Sequence, residues 1–387
     1  MRQNINTLYF TQKKKDMRKT TVLALATIVI MATTLSFSVN NTTGNHRDIQ
    51  TTDNRDELVA DYEGLEVDDQ PLFPVLVGGD YGYIDITGKI VIKPQYYDAG
   101  EFSEGLAKVQ NTNWKWGFID KSGKMVIQPT YDAAADFSEG MAAVETDGKW
   151  GYIDKTGRMV VAQKYNTAWP FYHGIAPVNT GRKYGGIADN RWGFIDKNGN
   201  TVIENQFMWV TTAKEGMAGV RVGSDPKTAL WGYMNTSGQY VINPRFEDAF
   251  FFTEGLARIR LNGKYGYIDK SGNVVINPQY TSAGIFSEGL APVCLNGEYG
   301  YIDKTGKMVI APQFDLAEPF SEGLAKVNLD DQQCFINKSG KVVIRVQCDY
   351  AHDFSNGLAK VTWEDEFVDT WGYIDKSGKI VWKETTY

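Results

Sequence analysis

Cysteine and histidine are nearly missing from this chain, with three of each among 387 residues. Cys294, Cys334 and Cys348 are too few for a disulfide framework. His46, His173 and His352 are scattered, and no Cys/His spacing points to zinc, so the sequence offers no metal site and no cofactor motif. No cysteine follows the one long apolar run, which removes a lipoprotein acylation site. Net basic charge is also missing: the chain carries −7, a poor balance for binding nucleic acid or anionic membrane and wall polymers. No long helical period crosses residues 72 to 387. No acid, base or nucleophile forms a cluster outside the repeated pattern, so a hydrolase is the weakest function class and no catalytic residue is assigned.

The amino terminus has the order of a secretory signal. Lys13, Lys14, Lys15, Arg18 and Lys19 precede an uncharged stretch at residues 22 to 39, and Met1 or Met17 serves as the start. Ser36 and Ser38 are spaced for cleavage after Ser38, which makes residues 1 to 38 a signal peptide. An uncleaved membrane anchor remains the alternative, because the stretch is near the lower length limit for spanning. Either way the rest is extracytoplasmic, and contact with a membrane runs only through this segment if it stays uncleaved. Cleavage removes six basic residues and one acidic residue and takes the charge from −7 to −12. Residues 39 to 71 are polar and charged, with little to bury, and read as a flexible linker.

From residue 72 to the end, nine copies of one phrase follow. Reading from Leu290, one copy is LAPVCLNGEYGYIDKTGKMVIAPQFDLAEPFSEG. Three strand-like stretches recur: Leu-Ala-x-Val, aromatic-Gly-aromatic-Ile-Asp, and a β-branched run such as Met125-Val126-Ile127. Asp-Lys-Ser/Thr-Gly joins the second to the third as a tight turn, with Asp accepting backbone amides and Gly left-handed. Proline (Pro94, Pro129, Pro244, Pro278, Pro312) is expected to end the third stretch. The connector carries an aromatic, an alanine and Phe-Ser-Glu-Gly, whose glutamates read as solvated turn residues. These motifs, [WY]-G-[YF]-I-D-K-[ST]-G-K-x-V-I and F-S-E-G-L-A, resemble the WG (KWG) repeat family over residues 72 to 387. The resemblance implies a β-rich repeat domain of bacterial type, without catalytic residues and with a binding role.

The fold expectation is all-β: a tandem array of three-stranded antiparallel meanders, open and solenoid-like, with a closed propeller-like toroid as the alternative. The open form is preferred because no unit is split between the termini.

A repeat protein carries function in its exceptions. Length variation falls in the loop between the first and second stretches, and the two longest loops belong to adjacent units, between Val178 and Trp192 and between Val220 and Trp231. They bear Arg182, Lys183, Tyr184, Asp225 and Lys227, with Trp169 and Trp209 in nearby connectors outside the repeat pattern. These are the candidate binding residues. Cys334 and Cys348 replace a glycine and an aromatic of one degraded unit and form a candidate disulfide. The leading function is a secreted or surface-attached, non-catalytic protein that binds a protein partner. A carbohydrate or cell-wall glycan module is the alternative.

Overall fold

Turn residues alternating with aromatic and β-branched runs give strands throughout. A computed structural model describes residues 70–181, 191–364 and 370–384. The proposed signal and nearly all of the linker lie outside these. The first unit forms β1 (Phe73–Val77), β2 (Asp80–Ile84) and β3 (Ile90–Tyr96). The second forms β4 (Asp98–Ser103), β5 (Leu106–Gln110), β6 (Trp116–Asp120) and β7 (Met125–Tyr131). The first sheet has three strands, and the eight that follow have four, each a meander in chain order.

The three-stranded unit is therefore corrected to four strands, because the connector pairs with the strand that follows it. Ala133–Ala134 lies against Glu145 and Val144, and Ser282–Ala283 against Cys294 and Val293. The Glu-Gly of Phe-Ser-Glu-Gly makes the reversal. Glu139 and Gly140 have φ of 52° and 81°, the two left-handed residues of a tight hairpin turn. Ser138 and Met141 then exchange both backbone hydrogen bonds, at 2.9 and 3.1 Å.

The glycine after the Trp or Tyr has a different cause. Trp150 pairs with Tyr165 and Tyr152 with Val161, so three residues on the outer strand oppose Gly151 alone. A Cβ there would lie 2.4 Å from the Val161 carbonyl oxygen. Only glycine lets this bulge close. Proline does not end the strand, contrary to expectation. Pro94 lies inside β3, which runs on to Tyr96, and its nitrogen is 2.7 Å from where a Gly82 Cβ would stand. In the degraded unit, with Cys334 at the glycine position, the outer strand stops at Arg345 and Cys334 pairs directly with it, as Gly372 pairs directly with Lys383 in the last blade. The Cys334–Cys348 bridge is not formed, and all three cysteines are free. Cys334 packs with Tyr301 and Phe314, whereas Cys348 packs with Phe335 and Phe354 in the next core cluster.

Each sheet packs face to face on the next through repeated contacts. The hydroxyl of the second aromatic donates to a connector carbonyl of the next sheet, as from Tyr152 to Trp169 at 2.7 Å and from Tyr301 to Glu318 at 2.7 Å. Its ring meets the next Phe-Ser-Glu-Gly phenylalanine edge-on, with Tyr152 and Phe171 centroids 4.8 Å apart. The turn glycine rests on the previous outer strand, Gly157 against Ile127.

All three contacts recur between the last sheet and the first. Tyr373 donates to the Pro74 carbonyl at 3.1 Å, the Phe73 and Tyr373 rings are 5.4 Å apart, and a Cβ on Gly88 would lie 2.6 Å from the Val381 carbonyl oxygen. Phe73 holds the register position of the alanine in Leu-Ala-x-Val, since it pairs with Ile84 as Ala107 does with Ile119. Among the described residues the first sheet has no fourth strand, and Phe73 supplies the ring that such a strand brings in the other blades. The open array is thus corrected to its alternative: the nine sheets close into a nine-bladed β-propeller. Closure needs no split blade, because the ninth junction is built like the others. An open array would leave Leu358, Tyr373, Phe73 and Val75, now one core cluster, without cover.

Candidate binding site between blades 4 and 5

The propeller has an incomplete ring of latches: among the described residues six junctions carry them, and those between blades 1 and 2, 4 and 5, and 9 and 1 do not. The Phe-Ser-Glu-Gly glutamates are not simply solvated. Each left-handed Glu accepts the backbone N–H of the next blade's turn glycine, as from Gly140 to Glu104 at 2.9 Å and from Gly323 to Glu288 at 3.1 Å. It also pairs with the lysine of that blade's Asp-Lys-Ser/Thr-Gly. The six pairs are Glu104–Lys155, Glu139–Lys197, Glu215–Lys270, Glu254–Lys304, Glu288–Lys338 and Glu322–Lys376, at 2.9–3.3 Å. At two junctions the glutamate and the lysine are both replaced. His173 and Thr236 hold the glutamate and lysine positions at one, and Asn356 and Ile86 hold them between the last blade and the first, where a Cβ on Gly357 would lie 2.8 Å from Ile86 Cδ1. The first of these pairs lies between blade 4 (residues 167–207) and blade 5 (residues 209–246). There Phe194 also lacks the donating hydroxyl, and Ala213 replaces the phenylalanine.

Unique aromatics fill that junction. Trp169 continues the first strand of blade 4, where its carbonyl accepts Tyr152 and its N–H donates to Pro177 at 3.0 Å. Its backbone does the repeat's work, so its side chain is free to differ. Trp209 opens the first strand of blade 5, opposite Arg221. Their rings are 6.1 Å apart, and Trp192 stands 4.8 Å from Trp169 and 5.8 Å from Trp209. Trp192 is only 4% exposed, whereas Trp169 and Trp209 are half-buried. Trp192 Nε1 and Arg221 Nε are buried without a hydrogen-bond partner.

The described ends of both long loops adjoin this cluster, Asn179 pairing with Trp192 and Arg221 with Trp209. The blade 4 loop is pinned at its base by Thr180 N–H to the Arg191 carbonyl at 3.1 Å, and by Asn205 donating to Val178 and Arg191, each at 3.0 Å. Arg182, Lys183 and Tyr184 lie outside the described residues. In blade 5, Asp225 caps its own turn by accepting Lys227 N–H at 2.9 Å, and Arg221 donates to the Pro226 carbonyl at 2.6 Å. Asp225 and Lys227 are exposed. The structure therefore joins Trp169 and Trp209 and sets Asp225 and Lys227 on the adjoining loop. Trp192 and Arg221 escaped the sequence reading because they occupy ordinary repeat positions. The paired loss of glutamate and lysine was the signal that marked this junction.

A second, electrostatically coupled polar group comes from the first two strands and the connectors of blades 2, 3, 8 and 9. Burial, then Asp136, pushes the Glu101 carboxyl up, against Lys360 and Lys108. Burial raises Asp353 and Glu318, and lowers Lys360. Burial first, then Lys326 and Lys360, pushes His352 down to about 4. Asp154, by contrast, sits in an exposed turn where hydrogen bonds from Thr156 and then Arg158 hold it at about 2. Among the described residues no cluster of His, Cys, Asp and Glu is suited to a metal.

A model of the WG containing repeat family matches residues 81–113, 116–150, 150–184, 192–224, 231–265, 265–299, 299–332, 335–362 and 371–381. The chain belongs to the WG-repeat family. No curated protein matches this WG-repeat chain. Among solved structures, a eukaryotic initiation factor is similar over 82% of this chain and 96% of its own, at 11% identity and a TM-score of 0.58. That likeness shows the fold alone. BamB from Moraxella catarrhalis, at 13% identity over 71% of this chain and 93% of its own, has a TM-score of 0.39 and is too distant to carry an argument.

Proposed function

We propose that this WG-repeat propeller is a non-catalytic interaction protein that works outside the cytoplasm and binds a protein partner through the face at blades 4 and 5. The observation that carries this reading is the meeting of Trp169, Trp192 and Trp209 beside the described ends of the two longest loops, at a junction stripped of the repeat's own latches. Tryptophan beside arginine is the composition of binding hot spots. The non-catalytic part is supported by the recurring carboxylates: Asp154 is spent on its turn and Glu139 on the next blade. The basic and apolar run before residue 39 supports export.

The test replaces residues 223–229 by the Asn-Gly turn that closes blades 6 and 7, and residues 179–191 by ETDGK, with each unfolding midpoint measured. Cross-linking mass spectrometry on extracellular and surface extracts then compares these proteins with the wild type. The proposal predicts intact folds and loss of the cross-linked partner. An unchanged partner profile contradicts it.

A further inference from the structure

Resting on that reading, we infer that the Trp169–Trp192–Trp209 cluster docks a proline-rich, extended segment of the partner. The unsatisfied groups have one polarity. Trp192 Nε1 and Arg221 Nε at this junction are both donors; of the other buried side-chain atoms without a hydrogen bond, Arg258 Nε lies in blade 6, Asn328 Oδ1 in blade 8, and Asp136 Oδ1, ion-paired with Lys108 at 3.2 Å, in blade 3. A buried donor without an acceptor is costly, so the group that completes this cluster brings acceptors. Proline-rich chain presents backbone carbonyls with few competing N–H groups, already extended, and it docks on aromatic-lined grooves. A sugar brings hydroxyl donors as well, and the cluster has no orphaned acceptor to meet them.

Ring geometry agrees. The three indoles are mutually tilted, with interplanar angles of 54°, 73° and 61°. They form wedges that suit pyrrolidine rings, not one flat platform for a sugar face. The cluster is not needed as a blade latch either, because Trp169 fulfils the repeat's contacts through its backbone.

The experiment titrates the full chain with decaproline and with a panel of decapeptides holding one Pro-x-x-Pro, beside chito-oligosaccharides, and follows the Trp192 indole N–H by NMR. The inference predicts that this resonance shifts with at least one peptide and stays fixed with sugar. It also predicts that Trp169→Ala and Trp209→Ala weaken that peptide's binding about tenfold or more. Trp192→Phe, which keeps a ring and loses the donor, should weaken it as well. The wild-type titration needs no variant, so a destabilised mutant does not shelter the idea. A resonance unmoved by every peptide, or moved only by sugar, overturns the inference. Partner cross-linking that depends on residues 223–229 but ignores Trp169→Ala and Trp209→Ala overturns it while leaving the interaction reading standing.

Discussion

The glycine of the aromatic-glycine pair is required by close approach, not by a turn. Gly151→Ala would put a Cβ 2.4 Å from one backbone oxygen and 2.8 Å from the Gln163 nitrogen. Backbone cannot step aside as a flexible side chain does, so the cost is about 1–3 kcal/mol. Gly140→Ala meets nothing within 4 Å and only strains a φ of 81°, for about 1 kcal/mol. Denaturant unfolding of both variants should rank them in that order, and equal midpoints would remove the bulge argument. A second residue-scale prediction concerns pH. His352 binds its proton near 4 when folded and near the ordinary 6.5 when unfolded. Between these values the unfolded chain holds more proton, so this residue's contribution falls as pH drops from 6.5 to 4. His352→Gln should therefore gain stability relative to wild type on acidification, and a difference constant across pH 4–7 would contradict the assignment. Thiol counting on the denatured, unreduced protein should find three free thiols, whereas one would restore the bridge. Trp169 and Trp209 were legible in the sequence because they break the repeat. Trp192 and Arg221 obey it, and only the fold shows which side chains have lost their partners.

At the scale of elements, the strand-forming stretches and the Asp-Lys-Ser/Thr-Gly turns were legible from local chemistry. Asp120, for example, accepts Ser122 and Lys124 amides at 3.0 Å, as a turn aspartate should. The fourth strand was not legible. Two paired residues such as Ala133–Ala134 are too short to show a period, and the left-handed Glu-Gly that creates the hairpin has no local preference for glutamate. Glutamate is explained only by the next blade, through a glycine amide and a lysine. The pairs are partly exposed, as with Glu288 and Lys338 at 27% and 49%. A double-mutant cycle with Glu288→Ala and Lys338→Ala should give a coupling of about 0.5–1 kcal/mol. A coupling indistinguishable from zero would reduce the latch to geometry without energy.

For the whole molecule, the number of units and the all-β class were legible, but closure was misjudged. Unsplit units are compatible with a closed ring as well as with an open array. Among the described residues, side-by-side packing closes the ring, with Phe73 in place of the connector phenylalanine of the other blades. The joint loss of glutamate at Asn356 and lysine at Ile86 already held the answer, since those two positions meet only in a ring. The same two positions test closure most directly. With Cys294, Cys334 and Cys348 replaced by alanine, Ile86→Cys and Asn356→Cys should be joined by a short bismaleimide within one chain. The product should be a monomer whose linked peptides span the first and last blades. A closed propeller predicts near-complete intramolecular linkage in dilute solution. An open array predicts none, or linkage only between chains, and that result would contradict the ring.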